Sequence, residues 1–154
     1  MKNIITIGVI GLGNAGAPIL NNLNQSKKYK LVAFDIDNKK LNDTADNIIK
    51  ASSIKNLVEQ CNVVLTCLPK PEHVLDVVDG KKGLLQNASK GMVWIDTSTT
   101  NFKQTQKLAS KAATYNVLML EATLTGGVNA LQNNNMVCLA GGNADTFKKW
   151  KQVI

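Results

Sequence analysis

The chain has 154 residues, 44% apolar and 19% charged, the balance of a globular single domain able to bury a core without disulfide staples. Its formal charge of +7 rests on 18 lysines set singly or in pairs, with no arginine and no basic-aromatic stripe, which argues against a nucleic-acid surface. No apolar run approaches the roughly 18 residues that would span a bilayer, and Cys61, Cys67 and Cys138 lack metal-ligand spacing, so they read as buried reduced thiols and no metal site is expected.

Ile4 to Ile10 is an apolar, β-branched run with only Thr6 breaking it, the pattern of a strand buried on both faces. It leaves no room for a signal peptide, and the expected location is the cytoplasm. The run ends in Gly11, Gly13 and Gly16, and Asn14 to Leu23 has helical period. A strand, a G-x-G-x-x-G turn and a helix make a phosphate-binding device. Gly11 permits the tight turn, Gly13 lets the backbone approach a pyrophosphate, and Gly16 allows close packing of the helix. The unpaired amides at the start of that helix favour an anion.

Tyr29 to Asp35 is the second expected strand. Asp35 stands 19 positions after Gly16, near the interval of about 20 at which such folds place an acid on the adenosine ribose. A carboxylate there accepts from ribose hydroxyls and repels a 2′-phosphate, which favours NAD over NADP. Asp37 is the alternative ribose partner if the strand runs longer, and Lys39 with Lys40 could meet a phosphate, but no arginine is present to clamp one.

Lys39 to Asn47 reads as helix and Ile48 to Ala51 as a short strand. Ser53 caps a helix to Gln60. Asn62 to Leu68 is a strand halted by Pro69 and Pro71, followed by helix Glu72 to Val78 and a lysine-rich connection from Gly80 to Gly91. Met92 to Asp96 is a strand closing in four hydroxyls, Thr97 to Thr100, which fit a helix cap or, at a strand's carboxyl end, a ligand site. Helix Phe102 to Tyr115, strand Val117 to Ala122, the turn Gln132 to Asn135, strand Asn135 to Leu139 and helix Ala144 to Ile154 complete the chain. Alternation of strands and helices predicts an α/β fold, a Rossmann-type doubly wound, largely parallel sheet with helices on both faces.

The segments GLGNAGAPI, CLPKP, IDTST, EATLTGG and LAGG, in that order, resemble the N-terminal domain of the β-hydroxyacid dehydrogenases. That family includes 3-hydroxyisobutyrate dehydrogenases and tartronate semialdehyde reductases, with 6-phosphogluconate dehydrogenase a more distant relative. The resemblance implies that residues 1–154 are a dinucleotide-binding domain. Gly11, Leu12, Gly13, Asn14, Ala15 and Gly16 would hold the pyrophosphate of NAD and Asp35 the ribose. Leu68 and Pro69 would line the cofactor's path, with Ser98 and Thr99 near the nicotinamide, and His73 stands where some relatives place a cofactor-contacting asparagine.

Where relatives carry Pro-Val-Ser-Gly-Gly, the resemblance assigns the grip on a substrate carboxylate to Thr125, Gly126 and Gly127. Threonine keeps the hydroxyl and narrows the pocket, and Thr123 replaces the stiffening proline. Other departures are Ala15 for methionine, Glu121 for aspartate and Phe102 for proline.

Relatives continue into an all-helical domain carrying a catalytic lysine, so no catalytic residue is expected within this chain. Lys70 is the nearest substitute, but an exposed lysine with an ordinary pKa near 10.4 is a poor base. The reaction implied is hydride transfer between a 3-hydroxy acid and NAD. The alternatives are a glyoxylate or tartronate semialdehyde reductase and a stand-alone nucleotide-binding module. Expected partners are a small-molecule substrate and a second copy of the chain, without nucleic acid or membrane.

Overall fold

The computed structural model describes residues 4–133 and 135–154. Thr6–Ile10, buried at every position, is strand β1. It is followed by α1 (Gly16–Gln25), β2 (Lys30–Phe34), α2 (Asn38–Asn42), β3 (Ile49–Lys50), α3 (Ile54–Val58) and β4 (Val63–Thr66). Next come α4 (Pro71–Asp79), α5 (Leu84–Asn87), β5 (Val93–Asp96), α6 (Phe102–Thr114) and β6 (Leu118–Thr125). The chain closes with α7 (Gly127–Gln132), β7 (Val137–Gly142) and α8 (Ala144–Trp150).

The strands form one sheet in the order β3-β2-β1-β4-β5-β6-β7, parallel from β3 to β6, with β7 antiparallel on the edge. Central strands lack charged residues until their carboxyl ends because both faces are covered. Ile7, Val9, Leu65 and Ile95 face a core shared with α1, α7 and α8, and Ile10, Val64 and Trp94 face a core under α3 to α6. The chain leaves β1 toward β2 and β3, then returns to place β4 on the other side of β1. That reversal opens a crevice at the carboxyl ends of β1 and β4, where a doubly wound sheet takes its ligands.

The expected α/β architecture is observed, with several elements differing in extent. The helix expected over Lys39 to Asn47 stops at Asn42, capped at its start by Asp37, whose Oδ1 accepts from the Lys39 amide at 2.9 Å. Ser53 caps α3 as expected, accepting from the Asn56 amide at 3.1 Å. The connection from Gly80 to Gly91 contains α5, which buries Leu84 and Leu85.

Strand β6 runs three residues beyond Ala122 because β7 pairs with it as far as Thr125↔Val137. The turn expected over Gln132 to Asn135 instead starts inside α7, and its Asn134 lies outside the described residues. Helix α8 ends at Trp150, short of Ile154. Among the described residues no helix is long and apolar enough to cross a membrane.

Candidate functional site

Three glycines shape the end of β1, each for a different steric reason. Gly11 has φ +95°, and a Cβ there would strike the carbonyl of Cys67. A Cβ on Gly16 would collide with the Gly11 carbonyl oxygen, so this glycine closes the loop on itself, with the Cβ of Cys67 next beyond. At Gly13 a Cβ would meet nothing within 4 Å. The loop is therefore tight at both ends and open in the middle, in front of α1.

Helix α1 has no side-chain cap at Ala15 and no acidic residue in its first turn, so nothing in the helix itself answers the positive end of its dipole. Asn14 is exposed beside this opening. The Leu12 side chain is buried in the core, and its amide donates to Asp35 Oδ2 at 2.7 Å.

Asp35 thus supports the glycine loop from the end of β2. Its other oxygen, Oδ1, accepts from the Asp37 amide at 2.8 Å, and each carboxylate oxygen keeps acceptor capacity for a further donor. Asp37, committed to capping α2, is exposed two residues further on. Ile36 between them is 92% exposed, an apolar side chain laid bare next to the acid. An uncapped helix start, an open Gly13 and a carboxylate bonded to the same loop fit a dinucleotide.

The loops that follow β4 and β5 meet beside this turn. Ala15, Leu68, Pro69, Ser98, Thr99 and Gly127 line one cavity of about 270 Å³, together with Cys67, Thr97, Leu124, Leu131 and Met136. The sequence-predicted residues of four separate segments are thereby brought together. Thr125 and Gly126 are exposed at the end of β6 and do not line it, and His73 is exposed on α4 and does not line it either.

Gly126 and Gly127, at φ +119° and +78°, make the turn from β6 into α7. Cys67, Leu124, Leu131 and Met136 were not legible as lining, whereas Thr97 belongs to the hydroxyl cluster that reads as a cap or a ligand site. Cys67 could have been found as the first residue after β4. Burial pushes the Cys67 thiol above its ordinary pKa, and the Thr97 hydroxyl partly counters it.

The four hydroxyls after β5 are not the helix cap. Asn101 caps α6, its Oδ1 accepting from the Gln104 amide at 2.9 Å. Thr97 Oγ1 instead donates to the Thr66 carbonyl at 2.8 Å, and Ser98 Oγ accepts from the Leu68 amide at 2.9 Å. Thr100 and Thr105 share a hydroxyl contact at 2.8 Å.

Beneath them lies Asp96, 2% exposed. Its Oδ1 accepts from Thr66 Oγ1 at 2.8 Å and from the Ser98 amide at 3.1 Å, and Thr66 Oγ1 in turn accepts from Trp94 Nε1 at 2.9 Å. Burial raises the Asp96 pKa, hydrogen bonds from Ser98 and Thr66 hold it down, and the neighbouring Glu121 carboxylate adds to the rise.

Comparison with known proteins matches residues 6–154 to the family model described as the NAD binding domain of 6-phosphogluconate dehydrogenase. Mitochondrial 3-hydroxyisobutyrate dehydrogenase of Mus musculus is 28% identical over 157 residues, covering 100% of this chain and 46% of that protein. The chain thus spans about half the length of the curated relatives it matches.

Mycobacterium tuberculosis 3-hydroxyisobutyrate dehydrogenase, solved with L-serine, is 26% identical and superposes with a TM-score of 0.89, over 97% of this chain and 50% of that one. A protein named Psf3, solved with NADP+ and 2-OPP, shares the fold at 22% identity and a TM-score of 0.90, over 96% and 52% of the two chains.

Proposed function

The chain belongs to the family of the NAD-binding domain of 6-phosphogluconate dehydrogenase, and from that premise we propose that it is the cofactor-binding part of a 3-hydroxyisobutyrate dehydrogenase-like oxidoreductase. One observation carries the reading: open space at Gly13, an uncapped start of α1 and a carboxylate that braces the Leu12 amide occur in one loop. Gly11 to Gly16 hold the pyrophosphate, Asp35 takes the ribose hydroxyls, and Leu68, Pro69, Ser98 and Thr99 enclose the nicotinamide end.

When bound, NAD supplies the acceptor for a hydride. The chain's own residues orient and exclude. Thr125, Gly126 and Gly127 offer a hydroxyl and backbone amides to a substrate carboxylate at the carboxyl end of β6, beside the crevice. Oxidising a 3-hydroxy acid also needs a base for the hydroxyl proton. Lys70 is exposed at the N-cap position of α4 and stands outside the crevice lining. We therefore place the base in polypeptide beyond these 154 residues, a reading supported by the roughly twofold length of the relatives.

The expected result is that the 154-residue chain binds NAD yet forms no NADH from 3-hydroxyisobutyrate above an enzyme-free background. Turnover by the chain alone would contradict the placement of the base. Oxidation of NADH with glyoxylate or tartronate semialdehyde, by a longer protein containing this chain, would move the substrate assignment to those acids.

A further inference from the structure

We infer that Asp96 is a positioning residue for the nicotinamide half of the cofactor, acting through Ser98 and Leu68 without touching the ligand; this rests on the dinucleotide reading above. Asp96 does not line the crevice, and it is almost wholly buried. Its hydrogen bonds nonetheless converge on residues that do. Oδ1 holds the Ser98 amide, Ser98 Oγ holds the Leu68 amide, and the two loops lining the crevice are thereby locked to one carboxylate. Thr66, one strand over in register with Asp96, completes the tie from the β4 side and is itself fixed by Trp94.

A role confined to holding β4 and β5 together explains this poorly. Those strands are already joined by a ladder from Val63↔Val93 to Thr66↔Asp96. A carboxyl group buried there with no cation among its hydrogen-bond partners in the described residues is expensive, and well-packed apolar residues hold strands at lower cost. Burial and Glu121 both press on its ionised form. What an apolar residue cannot do is accept from Thr66 and Ser98 at once, and that double acceptance sets the height of both loops above the sheet.

The test compares NAD with ADP-ribose, which lacks the nicotinamide, by calorimetric titration of the 154-residue chain. Asp96→Ala is expected to weaken NAD by about tenfold, the loss of one to two hydrogen-bonded contacts, and ADP-ribose by less than about twofold. Asp96→Asn keeps an Oδ1 acceptor and is expected to restore wild-type NAD binding. Equal losses on both ligands, no loss on either, or failure of Asn to rescue would each overturn the inference.

Wild-type chain that binds ADP-ribose no less tightly than NAD would also overturn it. Binding of neither ligand would instead bring down the dinucleotide reading and this inference with it. Should Asp96→Ala not fold, amide hydrogen exchange on the wild type decides. Leu68 and Ser98 amides are expected to gain protection with NAD and none with ADP-ribose, and equal protection by both would overturn the role.

Discussion

Asp35→Ala is expected to weaken NAD binding by about 100-fold and to lower the melting temperature of the unliganded chain as well. The first effect follows from losing two charge-assisted hydrogen bonds to ribose hydroxyls, each worth roughly 1.5–3 kcal/mol, with about 1.4 kcal/mol per tenfold in affinity. The second follows from the Leu12 amide, which donates to Asp35 Oδ2 at 2.7 Å and would be left buried without an acceptor, at a cost of about 1–3 kcal/mol.

Asp35→Asn separates the two effects. It keeps an acceptor for Leu12, so stability falls less, and it removes the negative charge, so the preference for NAD over NADP narrows. Calorimetric titration with both cofactors and a thermal melt of each variant check this. Wild-type NAD affinity in Asp35→Ala would remove the acid from the site.

Two glycines three residues apart should respond to alanine in opposite ways. Gly16→Ala places a methyl group against the Gly11 carbonyl, a backbone atom that cannot swing aside, and should cost the fold roughly 1–3 kcal/mol or more as overpacking. Gly13→Ala meets open space and should leave the melting temperature unchanged or slightly raised. The same methyl group occupies the space assigned to the pyrophosphate, and NAD affinity should fall by at least about tenfold, or 1.4 kcal/mol. A stable Gly13→Ala variant with undiminished NAD binding would show that the anion sits elsewhere.

The turn from β1 into α1 was legible because its chemistry is local: an apolar strand, then glycines, of which Gly11 and Gly16 stand where only hydrogen fits. Asp35 was legible from spacing, but its second task was not, since the bond to Leu12 spans two strands and depends on their register. Short helices were missed for a related reason. Helix α5 is a single turn between lysines and glycines, too brief to show a period, and it forms because Leu84 and Leu85 find the core under α3 and α4. Helix α7 is hidden in the same way behind Gly126 and Gly127.

The hydroxyl cluster after β5 could be read as a cap or as a site. The structure assigns capping to Asn101 and leaves Ser98 to bridge two loops. Asp96 gave no signal as a positioning residue, because a carboxylate at a strand end looks exposed until the neighbouring strands bury it. His73, a cofactor-path residue by resemblance, lies on the exposed face of α4, where the alternation of Val74 and Val78 inward turns it outward.

On the proposed function, the opening at Gly13 receives the linkage of a dinucleotide whose ribose, held by Asp35, is unphosphorylated. Calorimetric titration of the wild-type 154-residue chain with NAD and, separately, NADP tests it most directly. One saturable NAD site is expected, with NADP binding weaker by about tenfold or more, since a 2′-phosphate would meet the Asp35 carboxylate with no arginine to offset it. No detectable NAD binding, or NADP binding as tightly as NAD, would contradict it.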